Sequence, residues 1–212
     1  MGRIQLAVGY ATLTLAAAIL VGLVRRGRYR LSWAFVAYLA TYLATSGLMA
    51  FAPDVFYTRQ FWLYKEAALH ALKFGIALEL AWRTFRAFPG ALSTARSTVF
   101  VVLALTLIGV LSVPDSREFE SIAGGVQPRI VNGTVWLFTS IAAVILWYRV
   151  PVNPFHKTLL IGFVPYLLVF TVALQLFATY GFESLAVVNN YAYPLAYLVV
   201  LGYWCVAAWR PR

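Results

Sequence analysis

Along its 212 residues the chain repeats one pattern: about 20 mostly apolar positions, then a short break carrying proline, glycine or arginine. An apolar run of that length matches the roughly 30 Å of hydrocarbon that a membrane-crossing helix must span. Seven segments qualify, at about 4–24, 31–51, 61–84, 98–113, 130–149, 157–180 and 188–209. They predict an all-α membrane protein, a bundle of seven transmembrane helices forming one domain over residues 1–212. The breaks "FAPD", "FPG", "VPDS" and "RVPVNP" carry the chemistry that stops helices. Connections this short leave no room for a soluble domain, and no internal repeat supports the inverted-repeat plan of many transporters. The outer stretch "PDSREFESIAGGVQPR" reads as a loop whose acids, Glu118 and Glu120, are solvated.

Composition strengthens the membrane reading. The chain is 62% hydrophobic and only 11% charged, with mean hydropathy +0.79, against roughly 25% charged residues in soluble proteins. Its 7 Trp and 13 Tyr suit two interfacial aromatic belts. A single cysteine, Cys205, excludes an internal disulfide. The "RRGRYR" cluster follows the first apolar run, whereas a signal peptide carries its positive charge in front, so that run is read as a retained span.

The net charge of +10 is explained by topology, not by nucleic acid, because the basic residues form no groove-reading face. Arg25, Arg26, Arg28 and Arg30 follow span one, and Arg83, Arg86 and Arg96 follow span three. Arg149 and Lys157 follow span five, and Arg210 and Arg212 form the tail. That places 11 of the 17 basic residues on one side with no acid among them. Basic loops are retained in the cytoplasm, so the N-terminus is expected outside and the C-terminus inside a bacterial inner membrane. Arg25, Arg26, Arg28 and Arg30 are also placed to attract anionic lipid headgroups.

Span three breaks the apolar rule. "YKEAALHALKFGIALELAWR" holds Lys65, Glu66, His70, Lys73 and Glu79. At 100° per residue Glu66, His70 and Lys73 fall on one stripe, with Lys65, Glu79 and Arg83 beside it. The opposite half, including Leu63, Ala67, Phe74, Leu78 and Trp82, is apolar. Charges near the bilayer centre face the protein interior and pair with one another. Span three is therefore expected at the centre of the bundle, with Lys73 near mid-membrane. Two readings fit the set: a buried ion-pair network that fixes helix register, or a site that binds a small polar ligand or relays a proton, His titrating near physiological pH.

Thr41 and Thr45 in span two, Gln175 in span six, and Asn189, Asn190, Tyr193 and Tyr197 in span seven are candidates for the pocket wall. Each also reads as an ordinary packing or hydrogen-bonded residue; Ala37, Thr41 and Thr45 have the spacing of small-residue helix packing. No metal site is predicted, because Glu66 and His70 would need further ligands and His156, the other histidine, lies at the far end of the bundle. Phosphate-binding glycine loops, zinc-protease helices and nucleophile elbows are missing from the sequence, and no cofactor is predicted. Seven spans with the N-terminus outside are similar to microbial rhodopsins, but the retinal lysine of that family lies in the last helix and span seven here contains none.

The stretches "RRGRYRLSWAFVAYL", "FWLYKEAALHALKFGIALELAWRTFRAFPG" and "NNYAYPLAYLVVLGYW" resemble a group of small, uncharacterised seven-span bacterial membrane proteins. Glu66, Glu79 and the run from Phe85 and Arg86 to Pro89 carry the likeness. It implies the same topology and no activity. The function expected is a receptor-like or accessory module, with a polar site in span three or a bundle that docks onto a larger membrane complex. A small proton-coupled transporter is the first alternative, and a membrane-bound redox or enzyme subunit the second.

Overall fold

In a computed structural model of the chain, the described residues are 3–86, 97, 101, 119–147, 149, 151–180 and 192–211. Among them there are seven α-helices and no strand. They are α1 (Arg3–Arg25), α2 (Trp33–Phe51), the single turn α3 (Pro53–Phe56), α4 (Arg59–Arg86), α5 (Phe119–Trp147), α6 (Pro154–Tyr180) and α7 (Tyr193–Trp209). Six long helices therefore match six of the expected spans, and the fourth span, 98–113, lies outside the described residues apart from Val101.

Three helices are long and apolar enough to cross a membrane: Gln5–Arg25, Trp33–Phe51 and Pro154–Ala173. Apolar stretches at Gly133–Trp147 and Pro194–Trp209 are shorter. The 28 residues of α4 give it ample length, but Lys65, Glu66, Lys73, Glu79 and Arg83 set it apart from the apolar helices. Large apolar side chains stand exposed on the outside of the helices, among them Phe51, Trp82, Trp147 and Val199. Apolar surface on that scale marks contact with something other than water.

The helix boundaries have local causes. Ser32 caps α2, its hydroxyl accepting from the Phe35 N–H, so the helix starts two residues later than the hydrophobic run. A 3₁₀ turn at Arg28–Leu31 precedes it, entered through Gly27 at φ 64°, where a side chain would be strained. At α6, Asn153 Oδ1 accepts from the Phe155 N–H at 2.9 Å, and Pro154 takes the first helical position, where its missing N–H is harmless. The stretch expected to be an outer loop is different: α5 begins at Phe119 and runs through Gly124, Gly125 and Pro128, which puts Glu120 on a helix. Glycine and proline are tolerated inside membrane helices because neighbouring groups re-satisfy the backbone.

The six long helices close into a ring. α1 packs on α2, α2 on α4, α4 on α5, α5 on α6, α6 on α7, and α7 returns to α1. The interior is stacked in layers. Phe35, Phe163 and Trp204 meet with ring centroids 4.5–6.1 Å apart, and Phe138 stacks on Phe163 at 5.1 Å. Ile76, Leu80 and Leu201 are also fully buried around this aromatic centre. One layer towards the Arg59 end of α4, Tyr38, Tyr166 and Tyr197 replace the apolar rings.

This arrangement corrects the expected position of span three. The buried stripe of α4 (Leu69, His70, Lys73, Ile76, Ala77, Leu80, Ala81 and Thr84) faces the interior. Its other side is exposed at Trp62, Ala67 and Trp82, so among the described helices α4 is one stave of the ring and not its axis.

Candidate functional site

Five helices contribute to a cavity of 340 Å³ at the Arg59 end of the bundle interior. α4 supplies Lys65, Glu66, Leu69 and Lys73; α2 supplies Tyr38 and Tyr42; α1 supplies Gln5 and Thr12; α6 and α7 supply Tyr166 and Tyr197. A larger cavity of 760 Å³ lies between α1 and α2 and shares Gln5, Thr12, Tyr42 and Lys65 with it. The smaller cavity therefore opens towards the larger one past Lys65.

The charges inside are unevenly matched. Glu66 lies 3.6 Å from the Lys65 ammonium and 3.8 Å from His70 Nε2, both long for hydrogen bonds. His70 is buried and stacks on Phe170, centroids 5.9 Å apart. Lys73 is 3% exposed. Its ammonium lies 6.0 Å from the Tyr38 ring, 5.6 Å from Tyr166 and 5.7 Å from Phe170. Those aromatic faces offer cation–π attraction. Among the described residues, Lys73 has no carboxylate within 4.0 Å and no hydrogen-bond acceptor. The hydroxyls of Tyr38 and Tyr197 share a 2.8 Å hydrogen bond beside it.

Glu79, counted from sequence with the same polar set, is placed elsewhere. It lies six residues beyond Lys73, about 9 Å along the helix at 1.5 Å per residue, at the start of α2. There its carboxylate accepts from the Ser32 hydroxyl at 2.9 Å, the Trp33 N–H at 3.1 Å and the Ala34 N–H at 2.9 Å. Arg83 Nε donates to the same group at 2.8 Å. A carboxylate at a helix N-terminus satisfies donors that the helix itself leaves open and suits its dipole. Nearby, His156 Nε2 donates to the Leu31 carbonyl at 2.8 Å. These contacts tie α4 and α6 to the start of α2 and form a polar layer separate from the cavity.

The pocket wall differs in part from the residues expected. Tyr197 lines it. Thr41 and Thr45 do not; the Thr45 hydroxyl donates to the Thr41 carbonyl within α2, and Tyr38 and Tyr42 take the wall position instead. Asn189 and Asn190 lie outside the described residues, as do the side chains of Gln175 and Tyr193. Sequence reasoning passed over Tyr38, Tyr42, Tyr166 and Phe170. The signal was present as two aromatic pairs at four-residue spacing within apolar spans, away from the interfaces where tyrosine usually sits.

In the arginine cluster, Arg28 donates to the carbonyls of Ala207 and Arg210 at the end of α7, a favourable partner for a helix C-terminus. Trp209 Nε1 donates to the Ala18 carbonyl at 3.1 Å, which binds the same helix end to α1. Arg30 Nε donates to the Tyr29 hydroxyl at 3.2 Å. No group of three His, Cys, Asp or Glu side chains converges among the described residues. Compared with protein-family models, with curated proteins and with solved structures, the chain matches none.

Proposed function

We propose that this protein is a seven-span module of a bacterial inner membrane, N-terminus outside, that binds a small polar ligand in the α4 pocket and acts as a receptor-like or accessory subunit. The observation that carries the reading is the cavity itself. It is a concave space with a few polar groups among apolar and aromatic walls, the usual make-up of a small-molecule site, and Lys65, Glu66 and Lys73 all reach it. Beyond Lys73 the interior is filled by Phe35, Phe138, Phe163 and Trp204. A pocket closed at its base suits binding more than conduction. Anionic headgroups are the expected partners of Arg25, Arg26, Arg28 and Arg30 at the opposite end.

The site is tested with Glu66→Gln in protein reconstituted into liposomes. Loss of the carboxylate charge is expected to change retention of the co-purifying ligand about tenfold or more, weakening a head group that donates to Glu66 and strengthening an anionic one, the usual worth of a contact with a charged group. Unchanged ligand retention would sink the site, and proton flux abolished by the same variant would assign a carrier instead. The topology is tested separately in a Cys205→Ser background. Asp54→Cys is expected to react with an impermeant maleimide in intact spheroplasts and Arg26→Cys only after lysis; the reverse pattern would overturn the orientation.

A further inference from the structure

We infer that the α4 pocket takes a small monocarboxylate with an apolar body, anchored by Lys73. The inference rests on the ligand-binding reading above and adds the class of ligand. An ammonium removed from water requires acceptors, since desolvation of a charge is offset only by close partners. Lys73 is only 3% exposed, yet no carboxylate, carbonyl or hydroxyl of the described residues accepts from it. Its surroundings are the faces of Tyr38, Tyr166 and Phe170, which attract the charge but accept no strong hydrogen bond. At the same time Lys73 lines the cavity. Among the described residues, its open donors therefore have one direction in which to find an oxygen atom, and that is the cavity.

The neighbouring charges select the sign of the ligand. Two ammonium groups, Lys65 and Lys73, line the cavity against one carboxylate, Glu66, and Glu66 is already drawn to Lys65 and His70. A ligand with one negative charge balances the set; a cation would add to the excess. Lys65 also borders the outer cavity, so an anion entering from there passes one ammonium before reaching the second. The remaining walls, with Leu69, Tyr42 and Tyr166 among them, offer contact to an apolar body. A carboxylate fits the head position because its oxygens accept strong charge-assisted hydrogen bonds from an ammonium.

The probes are hexanoate, hexanamide and hexylamine, which share one apolar chain and differ in the head group. Detergent-purified full-length protein is expected to show a raised melting temperature and saturable binding with hexanoate, and neither with the amide or the amine. Lys73→Met is expected to weaken hexanoate binding about thirtyfold or more, as truncating one partner of a buried charge pair does. Without ligand, Lys73→Met should melt at or above the wild-type temperature, because it removes a buried charge that has no hydrogen-bond acceptor among the described residues and leaves a side chain suited to aromatic walls. Lys73→Gln provides a second variant with a neutral polar head, for which hexanoate binding should also fall. Hexylamine binding better than hexanoate, or Lys73→Met binding hexanoate undiminished, would overturn the inference and leave a polar pocket of other specificity. Failure of all three probes, together with no ligand retained by the wild-type protein, would overturn the pocket reading as well.

Discussion

Replacing Glu79 with alanine is expected to destabilise the protein by about 2–4 kcal/mol, the range for removing a charged acceptor from one buried hydroxyl, two helix-terminal N–H groups and an arginine at once. The carboxylate serves the Ser32 hydroxyl, the N–H groups of Trp33 and Ala34, and Arg83. Ser32 is buried at 1% exposure, so its hydroxyl does not regain water when the acceptor is removed. The Arg83 side chain is 33% exposed and recovers part of its loss through solvation, which sets the figure below that of a fully buried pair. Glu79→Gln keeps one accepting oxygen and should cost less than alanine. Thermal unfolding of purified protein measures both, with Ser32→Ala as a reference at about 1 kcal/mol, the worth of an N-cap. If Glu79→Ala unfolds within about 0.5 kcal/mol of wild type, the carboxylate does not hold the start of α2. Because Glu79 stands apart from the cavity, ligand binding should survive in the folded fraction.

The second large effect is expected at Gly162, where α6 meets α7. A Cβ there would fall on the Trp204 indole, meeting Nε1 and coming within 2.6 Å of Cε2 and 2.9 Å of Cζ2. The indole has little room to retreat, since Trp204 is 1% exposed and lies between Phe163 at 4.5 Å and Phe35 at 5.1 Å. Gly162→Ala should therefore cost about 1–3 kcal/mol through overpacking. Trp204→Phe opens space in the same place. Among the described residues Trp204 Nε1 has no hydrogen-bond partner, so phenylalanine there loses ring volume without breaking a hydrogen bond. The Gly162→Ala and Trp204→Phe pair should be more stable than the sum of the single changes implies, a coupling that a double-mutant cycle reads directly. Strict additivity would mean that the methyl group and the indole do not meet.

Both effects belong to the half of the interior near the Arg86 end of α4, where packing and capping hold the helices together. The cavity occupies the other half, and there the strongest donors are incompletely matched. On the proposed reading, stability and binding belong to different layers of one bundle. Substitutions at Glu79 or Gly162 should move melting temperature first, whereas those at Glu66 or Lys73 should move ligand affinity first.

Much of this architecture is legible in the amino-acid sequence. α1, α2 and α6 begin and end within about three residues of the apolar runs, because a helix that is apolar nearly all round shows its limits as a change in composition, and α4 does so despite its charged stripe. The interior-facing stripe Glu66, His70 and Lys73 follows from helical spacing and from the cost of turning charge towards hydrocarbon. The start of α5 is hidden because Gly124, Gly125 and Pro128 imitate a loop. In sequence those residues signal the end of a helix, but a surrounding bundle can overrule them.

Partner choice is beyond the sequence. The charges of Lys65, Glu66, Lys73 and Glu79 cancel as a formal sum, yet a sum carries no distances. Glu79 takes its partners from Ser32, Trp33 and Ala34, more than 40 residues earlier in the chain, because antiparallel packing of α2 on α4 brings the start of one helix to the end of the other. Lys73 faces Tyr38 for the same reason and Tyr166 because α6 closes the ring across from it, and the wall passes from the threonines of α2 to its tyrosines. Local composition and helical period determined which segments are helices and which side of α4 turns inward. Which of those inward charges is satisfied, and which is left facing a cavity, was decided only by the register of helices far apart in sequence, since ion pairs and hydrogen bonds act over a few ångströms.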